Sequence, residues 1–272
     1  MTPVQVGINL KLYFDLQRTR EYASAIATIA LQREAVTNGT VEVWLAPAVP
    51  YLAPVAEALR GSPVILAAQN VDRIEGPAFT GGVGVKDLIQ LGTRKVIVGH
   101  ADRRRRAGED DAVVAEKVRM LRDEGMRPVI CIGEPEARGV ADALDHCARQ
   151  LAAIGSVGSE STIAYEPVWA IGAEAPPSVA YLRAVLGGIK SRFPESALIY
   201  GGSAGPGLLE LLGADADGIF LGRFGHDPTA VGRVIDEAER RAVARSQEVG
   251  EIRQEPTAPT RDRGIDTEKG SR

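Results

Sequence analysis

The sequence is short of cysteine, histidine and lysine, and each shortage excludes something. Two cysteines, Cys131 and Cys147, in 272 residues are too few for a disulfide framework and point to the cytoplasm. There are three histidines. His146 stands beside Cys147 on a predicted helix, but a metal needs more ligands than that, so the pair is read as helix packing and no metal is expected. No apolar run approaches the roughly 18 residues that span a bilayer, and the opening MTPVQVGINLKLYF lacks the basic end and apolar block of a signal peptide. Acidic residues outnumber basic ones 36 to 32, a net charge of −4. That balance offers no global field to nucleic acid or an anionic membrane. No G-x-G-x-x-G follows the first predicted strand and no G-x-x-x-x-G-K-[ST] occurs anywhere, which argues against a dinucleotide or a nucleoside triphosphate. Lysine is scarce, 6 against 26 arginines, so a lysine in an unusual place is conspicuous.

What is present is alternation. Short apolar, β-branched runs at Val4–Asn9, Val41–Ala46, Val64–Ala68, Lys95–Gly99, Pro128–Ile132, Thr162–Tyr165, Ala197–Tyr200 and Gly218–Leu221 are separated by longer stretches. Several of these have helical period: Arg18–Thr37, Asp110–Glu124, Ala137–Ala153, Ser178–Arg192 and Pro228–Arg245. The runs are apolar throughout, as parallel strands buried on both faces are. Eight such units predict a single (β/α)₈ barrel over residues 1–246. An open doubly wound sheet has the same local pattern. From Gln247 to Arg272, 11 of 26 residues are charged and none is aromatic. That composition predicts a disordered, charged tail.

In such a barrel the chemistry sits where strands end at their C-termini. After the first run comes Asn9-Leu10-Lys11, a lysine that points either to solvent or into the mouth. After the fourth comes Gly99-His100-Ala101-Asp102 with arginines at 103–106, either an ordered site or a solvated charged turn. After the sixth comes Glu166, a candidate general base, then Pro167-Val168-Trp169-Ala170-Ile171-Gly172. That stretch is too apolar for an ordinary loop: it is a closing lid or a loop docked for good. After the seventh and eighth come Gly201-Gly202-Ser203 and Gly222-Arg223. Glycine turns at these two places suit a phosphate held by backbone N–H groups, or are merely tight turns. Base, imidazole and ammonium beside a phosphate cup suggest proton transfer next to a carbonyl, with no cofactor.

The pieces N-L-K at 9–11, A-A-Q-N at 67–70, A-F-T-G at 78–81, V-G-H-A-D-R-R at 98–104, C-I-G-E at 131–134, A-Y-E-P-V-W-A-I-G at 164–172, Y-G-G-S at 200–203 and D-G-I-F-L-G at 217–222 resemble the triosephosphate isomerase family, in its order and spacing. The resemblance implies a TIM barrel acting on a small phosphorylated sugar through an enediolate, a logic for which that enzyme is itself the standard worked case. Glu166 would be the base, His100 the neutral electrophile and Lys11 the positive charge. Asn9 would orient a substrate oxygen, and Gly172, Gly202, Ser203 and Gly222 would hold the phosphate. Cys131 would be structural, and the loop around Phe79 and Thr80 would enter a second subunit to make a homodimer.

The chain departs from the family at Ala101 and Asp102, where the family has serine and glutamate. It departs again at Ala173-Glu174-Ala175 with Pro176-Pro177 beyond the lid, and at Arg223 in place of a glycine. Aspartate is shorter than glutamate, so its contact with Lys11 is expected to weaken or move. Arg223 is expected to clamp the phosphate or a hydroxyl, or to swing outwards. Intact chemistry with altered positioning resembles the branch that converts L-erythrulose 1-phosphate to D-erythrulose 4-phosphate in tetritol breakdown. The alternatives are a glycolytic isomerase of triose phosphates and a phosphate-binding relative without catalysis.

Overall fold

A computed structural model describes residues 2–73, 78–155 and 157–252, with residues 248–252 described by backbone alone. Eight parallel strands close into a barrel in chain order: β1 (Val4–Asn9), β2 (Val41–Ala46), β3 (Ile65–Ala68), β4 (Lys95–Val98), β5 (Arg127–Ile132), β6 (Thr162–Tyr165), β7 (Ala197–Gly201) and β8 (Gly218–Leu221). Pairing of β1 with β8 closes the ring, for example Val6 with Ile219, which excludes the open sheet. The helices are α1 (Leu16–Leu31), α2 (Glu34–Thr37), α3 (Leu52–Ala58), α4 (Val85–Gln90), α5 (Ala101–Ala107), α6 (Asp111–Asp123), α7 (Val140–Ile154), α8 (Val179–Arg192), α9 (Leu208–Leu212) and α10 (Pro228–Ile252).

Two helical expectations need correction. The stretch 18–37 is not one helix: it breaks at Gln32–Arg33 between α1 and α2. Arg33 leaves helical geometry there, and its guanidinium bonds the Ile29 carbonyl and Asp236. The expected boundary at residue 246 is overrun, because α10 continues to Ile252. The rest of the expected tail, 253–272, lies outside the described residues.

Strand alternation sorts the core into two parts. Outward-facing Val4, Val6, Ile8, Val41, Val43, Leu45, Val96 and Val98 pack with the helices in one continuous cluster. Inward-facing Trp44, Ala67, Ile97, Val129, Cys131, Ala164, Ile199 and Phe220 fill the barrel as a second. Trp44 is wholly buried and its ring lies 5.1 Å from that of Phe220. It fits because its neighbour is Gly7: a Cβ there would overlap the indole.

Below this apolar layer the barrel floor is polar. Lys95 is wholly buried; its Nζ donates to Gln5 Oε1 at 2.9 Å and pairs with Glu42 Oε1 at 2.6 Å. Arg127 pairs with the other Glu42 oxygen, and Thr162 bonds Gln5 and Lys95. Burial, only partly offset by Glu42, brings the Lys95 pKa down to about 8. Burial alone would raise the Glu42 carboxyl, but Lys95 and Arg127 together hold it below its ordinary value.

Candidate active site

Opposite that floor, at the C-terminal ends of the strands, one cleft is lined by Asn9, Lys11, His100, Glu166, Gly172, Gly202, Ser203, Gly222 and Arg223. All nine residues singled out in the sequence therefore meet in one place. Tyr13, Ile171, Phe220, Leu221 and Phe224 complete its wall.

Lys11 follows β1 with φ +48°, the one positive φ outside glycine among the described residues. Such backbone costs of order 1–3 kcal/mol and persists only where neighbours enforce it. Two side chains do so. Asn9 Oδ1 accepts the Lys11 N–H at 3.0 Å, and Gln69 Nε2 donates to the Lys11 carbonyl at 2.9 Å and to that of Ala46 at 3.0 Å. Lys11 Nζ then reaches Asp102 Oδ2 at 2.9 Å. The shorter aspartate thus keeps the contact, contrary to expectation, because the backbone of Lys11 is pinned within its reach. Burial opposes ionisation of Asp102, but Lys11, His100 and Arg105 outweigh it and its carboxyl is lowered.

His100 caps α5 and is buried. Its Nδ1 accepts the Asp102 N–H at 3.0 Å. With Nδ1 facing that N–H as an acceptor, Nε2 is the nitrogen left to donate, and it lies 3.8 Å from Glu166 Oε2. That gap is too long for a hydrogen bond. Glu166 Oε2 is buried and makes no hydrogen bond among the described residues. Gly201 makes room for the Glu166 side chain: a Cβ there would lie 2.6 Å from Glu166 Cγ. Cys131 also adjoins Glu166; burial, then that carboxylate, push its thiol well up.

The loop from Pro167 to Gly172 is fastened to the barrel. Glu134, wholly buried, accepts from Tyr165, Tyr181 and Trp169, and its carbonyl accepts the Val168 N–H. Ser203 Oγ lies 3.0 Å from the Ala170 carbonyl and 2.7 Å from that of Ala173. Arg223 lines the edge of the cleft, and its Nη2 donates to the Gly172 carbonyl at 2.6 Å. Three of the four arginines at 103–106 are equally committed: Arg103 pairs with Glu109, Arg104 with Asp111 and Arg105 with Asp102. Gln69 and Glu134, which stand in the A-A-Q-N and C-I-G-E pieces without a role assigned to them there, are the side chains that hold the Lys11 backbone and the Trp169 loop.

Fold and site together define an enzyme of the eightfold-barrel class, with its polar groups gathered at the C-terminal mouth. The family model described as Triosephosphate isomerase matches residues 4–238. The chain is 40% identical over 245 residues to L-erythrulose-1-phosphate isomerase of Pectobacterium atrosepticum, covering 86% of this chain and 95% of that one. It is 37% identical to the triosephosphate isomerases of Alkalilimnicola ehrlichii, over 75% of this chain and 88% of the relative, and Symbiobacterium thermophilum, over 87% and 97%. The chain belongs to the triosephosphate isomerase family, and is a sugar-phosphate isomerase. No helix among the described residues is long and apolar enough to cross a membrane.

Proposed function

We propose that the protein interconverts L-erythrulose 1-phosphate and D-erythrulose 4-phosphate through an enediolate. The observation that carries this reading is the 40% identity to a relative of that activity, spanning 95% of its length. In this reading Glu166 removes the proton from C3 of the ketose and returns it to C2, so the carbonyl moves one carbon along. The unbonded Oε2 suits a base that must reach both carbons. The Nε2–H of His100 serves the two oxygens on which charge develops, and Lys11 supplies the fixed positive charge. Asn9 spends Oδ1 on Lys11, which leaves its amide NH₂ to donate to a substrate oxygen. Gly172, Gly202, Ser203 and Gly222 hold the phosphate chiefly through backbone N–H groups, with Arg223 adding positive charge at the rim. No cofactor or metal enters the scheme.

The second reading, a glycolytic triosephosphate isomerase, is supported by relatives of that name at 36–37% identity. One extra carbon is worth only about 1–3 kcal/mol of discrimination. Turnover of both substrates by one preparation decides: a larger kcat/KM for L-erythrulose 1-phosphate supports the first reading, and a larger one for glyceraldehyde 3-phosphate overturns it. We place the enzyme in the cytoplasm, where its two buried free thiols suit a reducing environment. We also propose a homodimer through the Phe79–Thr80 loop. Phe79, Leu12 and Tyr13 are exposed apolar side chains, the kind of surface a partner covers.

A further inference from the structure

The lid has three fastenings, and they differ in kind. Its entry is bound to Glu134, a wholly buried carboxylate that also takes the hydroxyls of Tyr165 and Tyr181. Its middle and its last residue are bound by Ser203, 4% exposed, whose Oγ reaches the Ala170 and Ala173 carbonyls. Between those two carbonyls, Gly172 is held by a side chain in solvent: Arg223 comes from the turn after β8 and reaches the Gly172 carbonyl across 51 positions of sequence. A buried fastening is costly to open, because both partners lose their bonds away from water. An exposed one opens cheaply, because water replaces it.

We propose that Arg223 is the latch of the lid, a positioning residue that sets how much of the time Val168–Ala173 lies closed over the site. This rests on the reading of the cleft as an isomerase site. The acceptor belongs to the chain, not to the substrate, so the latch engages in the free enzyme. Gly172 turns at φ +82°, and the guanidinium is the nearest group to where its Cβ would project, at 3.6 Å. Latching therefore fixes the orientation of the peptide unit that follows Gly172. It also ties the lid to the Gly222 turn, so the two halves of the proposed phosphate cup move as one piece. When the latch opens, Glu134 still holds the entry, and the Ala170–Ala173 turn, left to the single Ser203 hydroxyl, loosens.

The test compares Arg223→Gly and Arg223→Lys with the wild type. The exposed side chain can be removed without touching the core. In the substrate-free enzyme, hydrogen exchange at the Ala170, Ile171 and Ala173 amides, each bonded within the lid, should quicken about fivefold in Arg223→Gly. Amides of the barrel strands should not change. KM should rise by a similar factor, and Arg223→Lys, which keeps a donor, should restore most of both. Raised KM with unchanged lid exchange would overturn the latch and assign Arg223 to direct substrate contact. No change in either would show a surface contact only. The exchange measurement needs no substrate, so it stands or fails apart from the assignment of the sugar phosphate.

Discussion

Asp102 and Lys11 face each other at 2.9 Å, and the same aspartate donates its backbone N–H to His100 Nδ1. One residue thus places the ammonium with its side chain and fixes the imidazole tautomer with its main chain. The two duties separate on substitution. Asp102→Asn keeps the N–H but loses the charge, and should lower kcat/KM roughly tenfold, the scale of one charged hydrogen bond. Asp102→Glu should retain most activity. Nitrogen-15 spectra of His100 should show hydrogen on Nε2 in all three proteins; a protonated Nδ1 would refute the tautomer.

Glu166→Gln should cost at least roughly 10²-fold in kcat, the scale of general-base catalysis, with the fold intact by circular dichroism. Near-normal turnover would remove Glu166 from its assigned role.

Gly201→Ala tests the same base without altering it. The new methyl lies 2.6 Å from Glu166 Cγ and must push the carboxylate aside. Misplacement on the order of 1 Å costs up to about 10²-fold, so kcat should fall while KM changes little. An alanine variant with wild-type kcat would show that the base has other room.

The floor of the barrel carries a prediction about stability. Glu42→Gln strips the counter-charge from both Lys95 and Arg127 and should destabilise by about 3–5 kcal/mol. Lys95→Met leaves Glu42 paired with Arg127 and should cost less. The pH dependence has a definite sign. Lys95 releases its proton near 8 in the folded protein and near 10.4 once unfolded. Between those values the unfolded chain binds more protons, so stability rises with pH across that window. The cost of burying the ammonium is fully present below it. Urea denaturation over this range should show the rise in the wild type and lack it in Lys95→Met.

Both thiols should resist a disulfide reagent until the protein unfolds. Burial raises Cys147 to about 12 and Cys131 well above its ordinary value, so neither presents a thiolate. Rapid labelling of the folded enzyme would contradict the packing around them.

Much of this architecture was legible in the sequence, for a local reason. A strand buried on both faces is apolar throughout and punctuated by polar residues, so each run can be bounded from its own residues. The break at Arg33 could not be found that way, because its partner Asp236 lies on α10, at the other end of the chain. Lys95 opened a strand like any exposed residue; its burial depends on Glu42 and Arg127 from two other strands. Arg223 was visible as an oddity, but its target was not. Which carbonyl it meets depends on how two loops approach over the barrel mouth.

The ionic floor and the catalytic rim stand at opposite ends of the same strands. Lys95 and His100 are five residues apart, roughly 16 Å along an extended chain, with Trp44, Ile97 and Phe220 in the layer between. Sites that far apart, sharing no partner, combine their effects almost additively. Substitutions at rim positions such as 101, 102 and 223 should therefore leave untouched the stability held in the floor beneath.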